Sequence, residues 1–332
     1  SHDWFTAGNA ALWIAGPIPD GLRLELPAGP RRTTRPADPI AGLALPAWTT
    51  NRIPGIAMGL VVPRESAPAT ANRILTKRLE NHLRYELGRS YEVSVAYQPL
   101  DAVEGQASIF ASCLEEDAAK VRASFLATVD QFAHEGPTPD ELAEDRAAFV
   151  RHLSDPDAGY AELDRATHSE LIGHPQTTSD ELLAEMDALS PHDVREALRS
   201  ALDRAILMGP LQDPPDGLSA RQWRQYPVWS ASVVAGRVHD RTTRRFPWSP
   251  RTEHLVVGPE GVSWVGPGGQ AATVRFADCI GMVIDEDGAR WAHGRDGFRV
   301  RVHAPDWKGG ASVVAALDAA VPADRIVRIP PA

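Results

Sequence analysis

The sequence predicts an α+β protein in two parts. Between Ile56 and Met208 the apolar periodicity reads strand, helix, two strands, a series of helices and a strand. After Leu255, short apolar runs recur between turn dipeptides and end in one helix. The stretch Leu218–Arg251 between them holds seven arginines and one acid, Asp240. A length of 332 residues accommodates two domains of ordinary size.

The elements follow in order. Asn9–Gly16 is an apolar run ending at a Gly-Pro turn and reads as a strand that needs a sheet to join. Pro17–Pro46, rich in Pro, Gly and Arg, reads as a linker. Ile56–Val62 is a strand. Ala69–Leu87 has helical spacing, with Ile74, Leu75, Leu79, Leu83 and Leu87 on one side and Gly88 as the stop. Tyr91–Tyr97 alternates as a strand, and Gln106–Leu114 is its successor beyond the turn at Gly105. Ala118–Phe132 is an amphipathic helix. Thr138 and Thr178, each with a glutamate three residues on, mark helix starts by capping boxes, and Ser190 caps a helix reaching about Leu202. Ala205–Met208 is the closing strand.

In Leu218–Arg251, Trp223, Tyr226, Trp229, Phe246 and Trp248 alternate with arginines. Such a mixture suits single-stranded nucleic acid, but it equally describes an arm anchored by its aromatics. A net charge of -10 and the lack of an RNA-binding motif favour the arm. The last part reads as a hairpin at Leu255–Val265, further short strands at 272–276, 281–284, 289–292 and 298–303, and a helix at Gly310–Ala320. Asp287-Gly288 and Asp296-Gly297 are hairpin-turn dipeptides. Strands in this order with one terminal helix predict a small barrel capped at one end. No internal repeat is expected.

General chemical motifs are sparse. Cys113 and Cys279 give neither a disulfide framework nor a cysteine zinc site, and two isolated cysteines fit a cytoplasmic location. No apolar run has the length of a membrane span. HExxH and HxxEH are absent; His168 and His174, six apart with Gly173 between, do not share one helix face. There is no Gly-x-Ser-x-Gly and no glycine-rich phosphate loop between a strand and a helix. The informative place is the turn 83–93. Arg84 ends a helix and Tyr91 opens a strand, so a guanidinium and a phenol approach one point from two sides. Both donate hydrogen bonds and suit a carbonyl or an oxyanion. The competing reading is an arginine facing the helix dipole and a tyrosine filling a strand.

Leu83-Arg84, Leu87-Gly88, Tyr91 and Val93 resemble the LRe.lGlaYsv signature of the M16 (insulinase, pitrilysin, mitochondrial processing peptidase) family. Gly105–Ile109 resembles the strand that follows it, Gly136–Leu142 the family's G.t.eEl helix start, and Asn9–Gly16 its NmvLvvvG strand. The likeness covers roughly residues 8–209. It implies a LuxS/MPP-like metallohydrolase α/β half-domain. In the family, two such halves face each other: one bears HxxEH and zinc, the other an arginine and a tyrosine that hold substrate. By this resemblance Arg84 and Tyr91 are the substrate-side pair. The zinc motif is absent here, and the linker after Gly16 is shorter than the family's helix-bearing connection. The hairpins after Leu255 resemble a PH-like β-barrel with a C-terminal helix.

The expected organisation is a terminal strand of an upstream half plus linker at 1–39, the substrate-side domain at 40–209, a basic aromatic arm at 210–250 and the PH-like domain at 251–332. The resemblance implies a zinc-lacking half of an M16-type metallopeptidase. The chain itself would need no cofactor, and zinc would reside in an HxxEH-bearing half or partner, with a peptide as substrate. Contact with nucleic acid is not expected. The alternative is a non-catalytic scaffold with an M16-like dimerisation face.

Overall fold

A computed structural model describes residues 5–31, 40–50, 53–155, 157–211, 214–215, 218, 221–242 and 253–329. The chain divides into two compact units: Ser1–Pro36 with Leu45–Gln225, and Ala37–Ala44 with Tyr226–Ala332. Phe246, Trp248 and the arginines near them lie outside the described residues.

The first unit is built on a mixed six-stranded sheet. Its strands are β1 (Ala47–Thr50), β2 (Gly55–Pro63), β3 (Val93–Pro99), β4 (Glu104–Ser112), β5 (Ile206–Gly209) and β6 (Arg224–Gln225). They lie side by side as β3-β4-β2-β5-β1-β6. β2 and β4 pair antiparallel over their whole lengths, from Gly55↔Ser112 to Pro63↔Glu104. β5 runs antiparallel to β2 and parallel to β1. Alternation sends Ile56, Met58, Leu60 and Val62 to a buried face and leaves Ala57, Gly59 and Val61 on the other.

Helices cover the buried face. They are α1 (Ser66–Glu80), α2 (Ala118–Glu135), α3 (Pro139–Leu153), α4 (Ala158–Ile172), α5 (Ser179–Ala188) and α6 (Pro191–Leu202). Leu75 and Leu79 of α1, Phe125 and Phe132 of α2, and Leu198 and Leu202 of α6 meet the sheet in one core. Each such side chain contributes about 1.5–3 kcal/mol by leaving water. All three expected caps form. The hydroxyls of Thr138, Thr178 and Ser190 accept from the N–H groups of Glu141, Glu181 and Asp193. α3 has no buried residue among those described and is tied to α1 by the Arg73–Asp145, Lys77–Glu144 and Arg78–Glu141 ion pairs.

Arg78 and Glu141 form the densest of these ties. Arg78 donates to both Glu141 carboxylate oxygens, at 2.5 and 2.6 Å, and to the Gly136 carbonyl at 3.0 Å. Its guanidinium also covers the Phe132 ring at 4.8 Å. The Arg78 hydrogen bonds, opposed by burial and helped by the Thr138 N–H, hold the Glu141 carboxyl below the usual carboxylate range. A depressed carboxylate stabilises the fold above its unfolded pKa, and the contribution is lost as pH falls through the folded value. Glu141→Gln is therefore expected to lower Tm at neutral pH and to flatten its fall below about pH 4.5, the ordinary glutamate value. Calorimetric Tm profiles of wild type and variant that stay parallel down to acid pH would show that Glu141 carries no linkage.

Asn9–Gly16 is not a strand. Residues 10–14 pair with no ladder, and Leu12 and Trp13 are 54% and 46% exposed. An unbroken apolar run made the segment strand-like, but an extended backbone becomes a strand only when a sheet edge receives it, and no described strand pairs with it. Instead the chain is held just before it, where Ala7 and Gly8 N–H groups donate to the Pro27 and Gly29 carbonyls.

A short repeat, unrecognised in the sequence, relates this segment to β5. Trp13-Ile14-Ala15-Gly16-Pro17-Ile18 is followed by Asp20-Gly21-Leu22; Ile206-Leu207-Met208-Gly209-Pro210-Leu211 is followed by Asp216-Gly217-Leu218. The second copy is the central strand β5, and Leu211 and Leu218 after it are buried in the core. In the first copy the matching Ile18 and Leu22 are 72% and 44% exposed.

The second unit contains β7 (Arg237–Asp240), β8 (His254–Gly258), β9 (Gly261–Val265), β10 (Ala271–Arg275), β11 (Cys279–Ile284), β12 (Arg290–Gly294), β13 (Arg299–Val302), helix α7 (Gly310–Ala320) and β14 (Ile326–Arg328). The expected strands and helix are present, but the described strands do not close into a barrel. They form two four-stranded sheets, β10-β9-β8-β7 and β13-β12-β11-β14, around a core of Leu255, Val274, Met282, Val300 and Leu317. The reason is long-range. A 3-10 turn at Phe276–Asp278 separates β10 from β11, and β11 takes β14, which follows the helix, as a parallel neighbour.

The basic aromatic stretch supplies anchors to both units. Trp223 is buried in the first core, and Arg221 pairs with Asp203 at 2.7 Å. In the second unit Tyr226 stacks on Phe298 and Trp229 on Trp264, with ring centroids 6.4 and 6.0 Å apart. Ser263, fully buried, bonds Thr273 at 2.8 Å and accepts from Val234 N–H at 3.0 Å, fixing the chain ahead of β7 against β9 and β10.

Candidate functional site

The candidate site lies where α1 runs out. The helix continues from Glu80 as one π-helical segment, Asn81–Glu86, with Leu87 N–H donating to the His82 carbonyl at 3.0 Å. Wider winding breaks the expected apolar stripe. Ile74, Leu75, Leu79 and Leu83 are buried, whereas Leu87 is turned away and 38% exposed. Such segments recur at functional sites. The Leu83 carbonyl then accepts from the Arg89 and Ser90 N–H groups, at 3.0 and 3.2 Å, and Gly88 takes φ +63, in the left-handed region open to glycine. Arg89 is tied to Asp117. The turn therefore has a rigid floor.

Arg84 stands on this segment with its side chain 44% exposed. Its Nη1 donates to Glu80 Oε1 at 3.2 Å, and its guanidinium lies 5.3 Å from the Tyr85 ring centroid. Tyr85 Oη reaches the same Glu80 oxygen at 3.4 Å. His82 and Glu86 pair beside them at 2.7 Å. Tyr91 is 87% exposed and lies in the connection, since β3 begins only at Val93. No hydrogen bond or ring contact among the described residues joins Arg84 to Tyr91. The structure thus places both at one helix-to-strand turn, open to solvent, without bringing them into contact. Glu80 and Tyr85, which orient Arg84, were not singled out in the sequence. The four-residue helical spacing of Glu80 and Arg84 was the available signal.

The open sheet face holds a hollow of about 280 Å³, lined by Ala57, Gly59, Val61, Ser108, Ile206 and Met208. Arg204, which pairs with Glu104, also lines it, as does Gln106. Its lining is mostly apolar, with Gln106, Ser108 and Arg204 as the polar members. Among the described residues, no three His, Cys, Asp or Glu side chains converge as a metal site. His174, weighed as a ligand, instead engages the Ala102 carbonyl through Nδ1 at 2.7 Å. Burial, followed by the nearby Asp117 charge, pushes the Cys113 thiol up, away from nucleophilic use. No helix among the described residues is long and apolar enough to cross a membrane.

No family model matches the chain, and no curated protein matches it. Among solved structures it is similar to a peptidase M16 inactive domain from Pseudomonas fluorescens. That match has 18% identity and a TM-score of 0.45, covering 57% of this chain and 49% of that one. It is also similar to the periplasmic protease PqqL from Escherichia coli at 12% identity and TM-score 0.47, over 76% of this chain and 32% of that one. An insulinase family protease from Yersinia pestis gives 15% identity and TM-score 0.37, over 59% and 48% of the two chains. The chain spans half or less of the length of each of these three proteins.

Proposed function

We propose that this chain is the substrate-binding, zinc-lacking half of an M16-type metallopeptidase. The observation that carries the reading is the turn 83–91. It presents a guanidinium and a phenol to solvent from a rigid floor, at the spacing of the family signature. Arg84 and Tyr91 then hold a peptide carbonyl and supply hydrogen bonds to negative charge that develops on it. The residues described do not fit a zinc site, so the metal belongs to a complementary HxxEH-bearing half.

The repeat supports a two-half arrangement. β5 shows what the sequence apolar run, Gly-Pro, Asp-Gly-Leu does when a sheet accepts it. Its counterpart at residues 13–22 is the corresponding strand of a second, similar unit, and its exposed Trp13, Ile18 and Leu22 are the side chains that unit would bury.

The test is purification of the native protein, with intact mass of every co-purifying polypeptide and zinc content read together. Zinc near one per complex, with an HxxEH-bearing polypeptide present and an extended peptide cleaved, is the expected result. A lone chain of 36.0 kDa without zinc or peptidase activity would overturn the reading and leave the scaffold alternative.

A further inference from the structure

We propose that β3 is a dimerisation edge that pairs antiparallel with β3 of a second copy of this chain. The inference rests on the edge alone and does not depend on the proposed peptidase role.

An exposed strand edge presents unpaired N–H and C=O groups, and proteins usually blunt it with charge, brevity or a bulge. The other edges here are blunted. β6 has two residues, one of them Arg224, and β14 has three and ends in Arg328. β7 carries Arg237 and Asp240, β10 ends in Arg275, and β13 carries Arg299 and Arg301. Apart from its last residue, Pro99, β3 has none of these devices. Val93-Ser94-Val95-Ala96-Tyr97-Gln98-Pro99 is uncharged, and its register against β4 is unbroken from Val93↔Ala111 to Pro99↔Gly105.

The ladder fixes which groups face outward. Ser112 N–H donates to the Glu92 carbonyl and Leu100 N–H to the Glu104 carbonyl, so these residues point at β4. By alternation Ser94, Ala96 and Gln98 also point at β4, and Val93, Val95 and Tyr97 turn their N–H and C=O groups outward. Pro99, which has no N–H, ends the outward row.

This row is complementary to itself. A two-fold axis at Ala96 sets Val95 opposite Tyr97 of the second copy, so both outward pairs exchange hydrogen bonds. Each is also a β-branched and aromatic cross-strand contact. The Val93 N–H meets the proline carbonyl of the other copy. No charged side chain lies within the paired strands, Val93–Pro99.

The test is sedimentation of the full chain at tens of micromolar, with two kinds of variant. Val95→Pro removes only an outward N–H and leaves the β3–β4 ladder intact; unchanged circular dichroism checks the fold. Ala96→Cys, in a Cys113→Ser background, tests the axis. Facing residues of a non-hydrogen-bonded pair lie about 4.5 Å apart at Cα, within disulfide reach. The expected results are twice the 36.0 kDa chain mass for wild type, a monomer for Val95→Pro and an oxidised dimer for Ala96→Cys. Ser94→Cys and Gln98→Cys, which face each other rather than themselves, do not cross-link when each is made singly. A monomeric wild type overturns the proposal, including one whose β3 amides gain exchange protection only when an extended peptide is added. A dimer that survives Val95→Pro while Ala96→Cys fails to cross-link overturns it as well.

Discussion

Arg84→Ala, assayed in the complex with the zinc-bearing half, is expected to lower kcat/KM for an extended peptide by about 10²-fold or more, the usual effect of removing a donor to developing oxyanion charge. Tyr91→Phe removes a second donor and is expected to act in the same direction. Neither change should unfold the protein. The Arg84–Glu80 contact is an exposed pair four residues apart on a helix, worth about 0.3–0.5 kcal/mol. Tyr91 is 87% exposed, so its hydroxyl can be deleted with no loss of packing. Two orders of magnitude in rate correspond to about 2.7 kcal/mol, so lost stability is too small to mimic the effect. Glu80→Gln separates orientation from charge. It weakens the hold on Arg84 while keeping the guanidinium, so a smaller loss, shared between kcat and KM, is expected. Cleavage unchanged in both Arg84→Ala and Tyr91→Phe would remove these residues from the mechanism.

The sequence showed most clearly what short-range chemistry decides. Thr138, Thr178 and Ser190 were legible because a cap and its partner lie within one turn. β2 was legible as a short apolar run, and β4 as the run that follows the turn at Gly105. Failures came where a distant partner decides. Asn9–Gly16 is an apolar run that reads as a strand, but no described strand of this unit receives it. β14 is three residues long and forms only by pairing with β11, and that pairing lies in one of two separate sheets where a barrel was expected. The spacing from Arg84 to Tyr91 could be read directly. The π-helical segment beneath it could not, since Leu87 satisfies an α-helical stripe on paper and leaves it only when the winding widens. The repeat of the Gly-Pro and Asp-Gly-Leu pieces was present in the sequence but too short to stand out until the structure gave β5 its place.

Leu83→Ala is expected to be the most damaging single change near the site. Leu83 is fully buried and is the one buried residue of the π-helical segment. Its side chain joins the core shared with Phe125 and Leu79, and its carbonyl gathers the two N–H groups that close the turn. Truncation removes apolar contacts and leaves a cavity, costing about 3 kcal/mol. With roughly 2–4 °C per kcal/mol for domains of about 150–250 residues, Tm should fall by about 6–12 °C. Tyr85→Ala, two residues on, is the matched comparison: that ring is 66% exposed, and its loss should move Tm by about one degree or less. The pair distinguishes two origins of the unusual winding. If the buried leucine anchors it, Leu83→Ala also loosens the turn, and hydrogen exchange at the Arg89 and Ser90 amides accelerates well beyond what global destabilisation explains. If the winding is set by the exposed Glu80, Arg84 and Tyr85 group, Tyr85→Ala accelerates those amides instead while Tm stays nearly fixed. Arg84 and Tyr91 sit on this turn, so its anchor determines how firmly the two donors are presented.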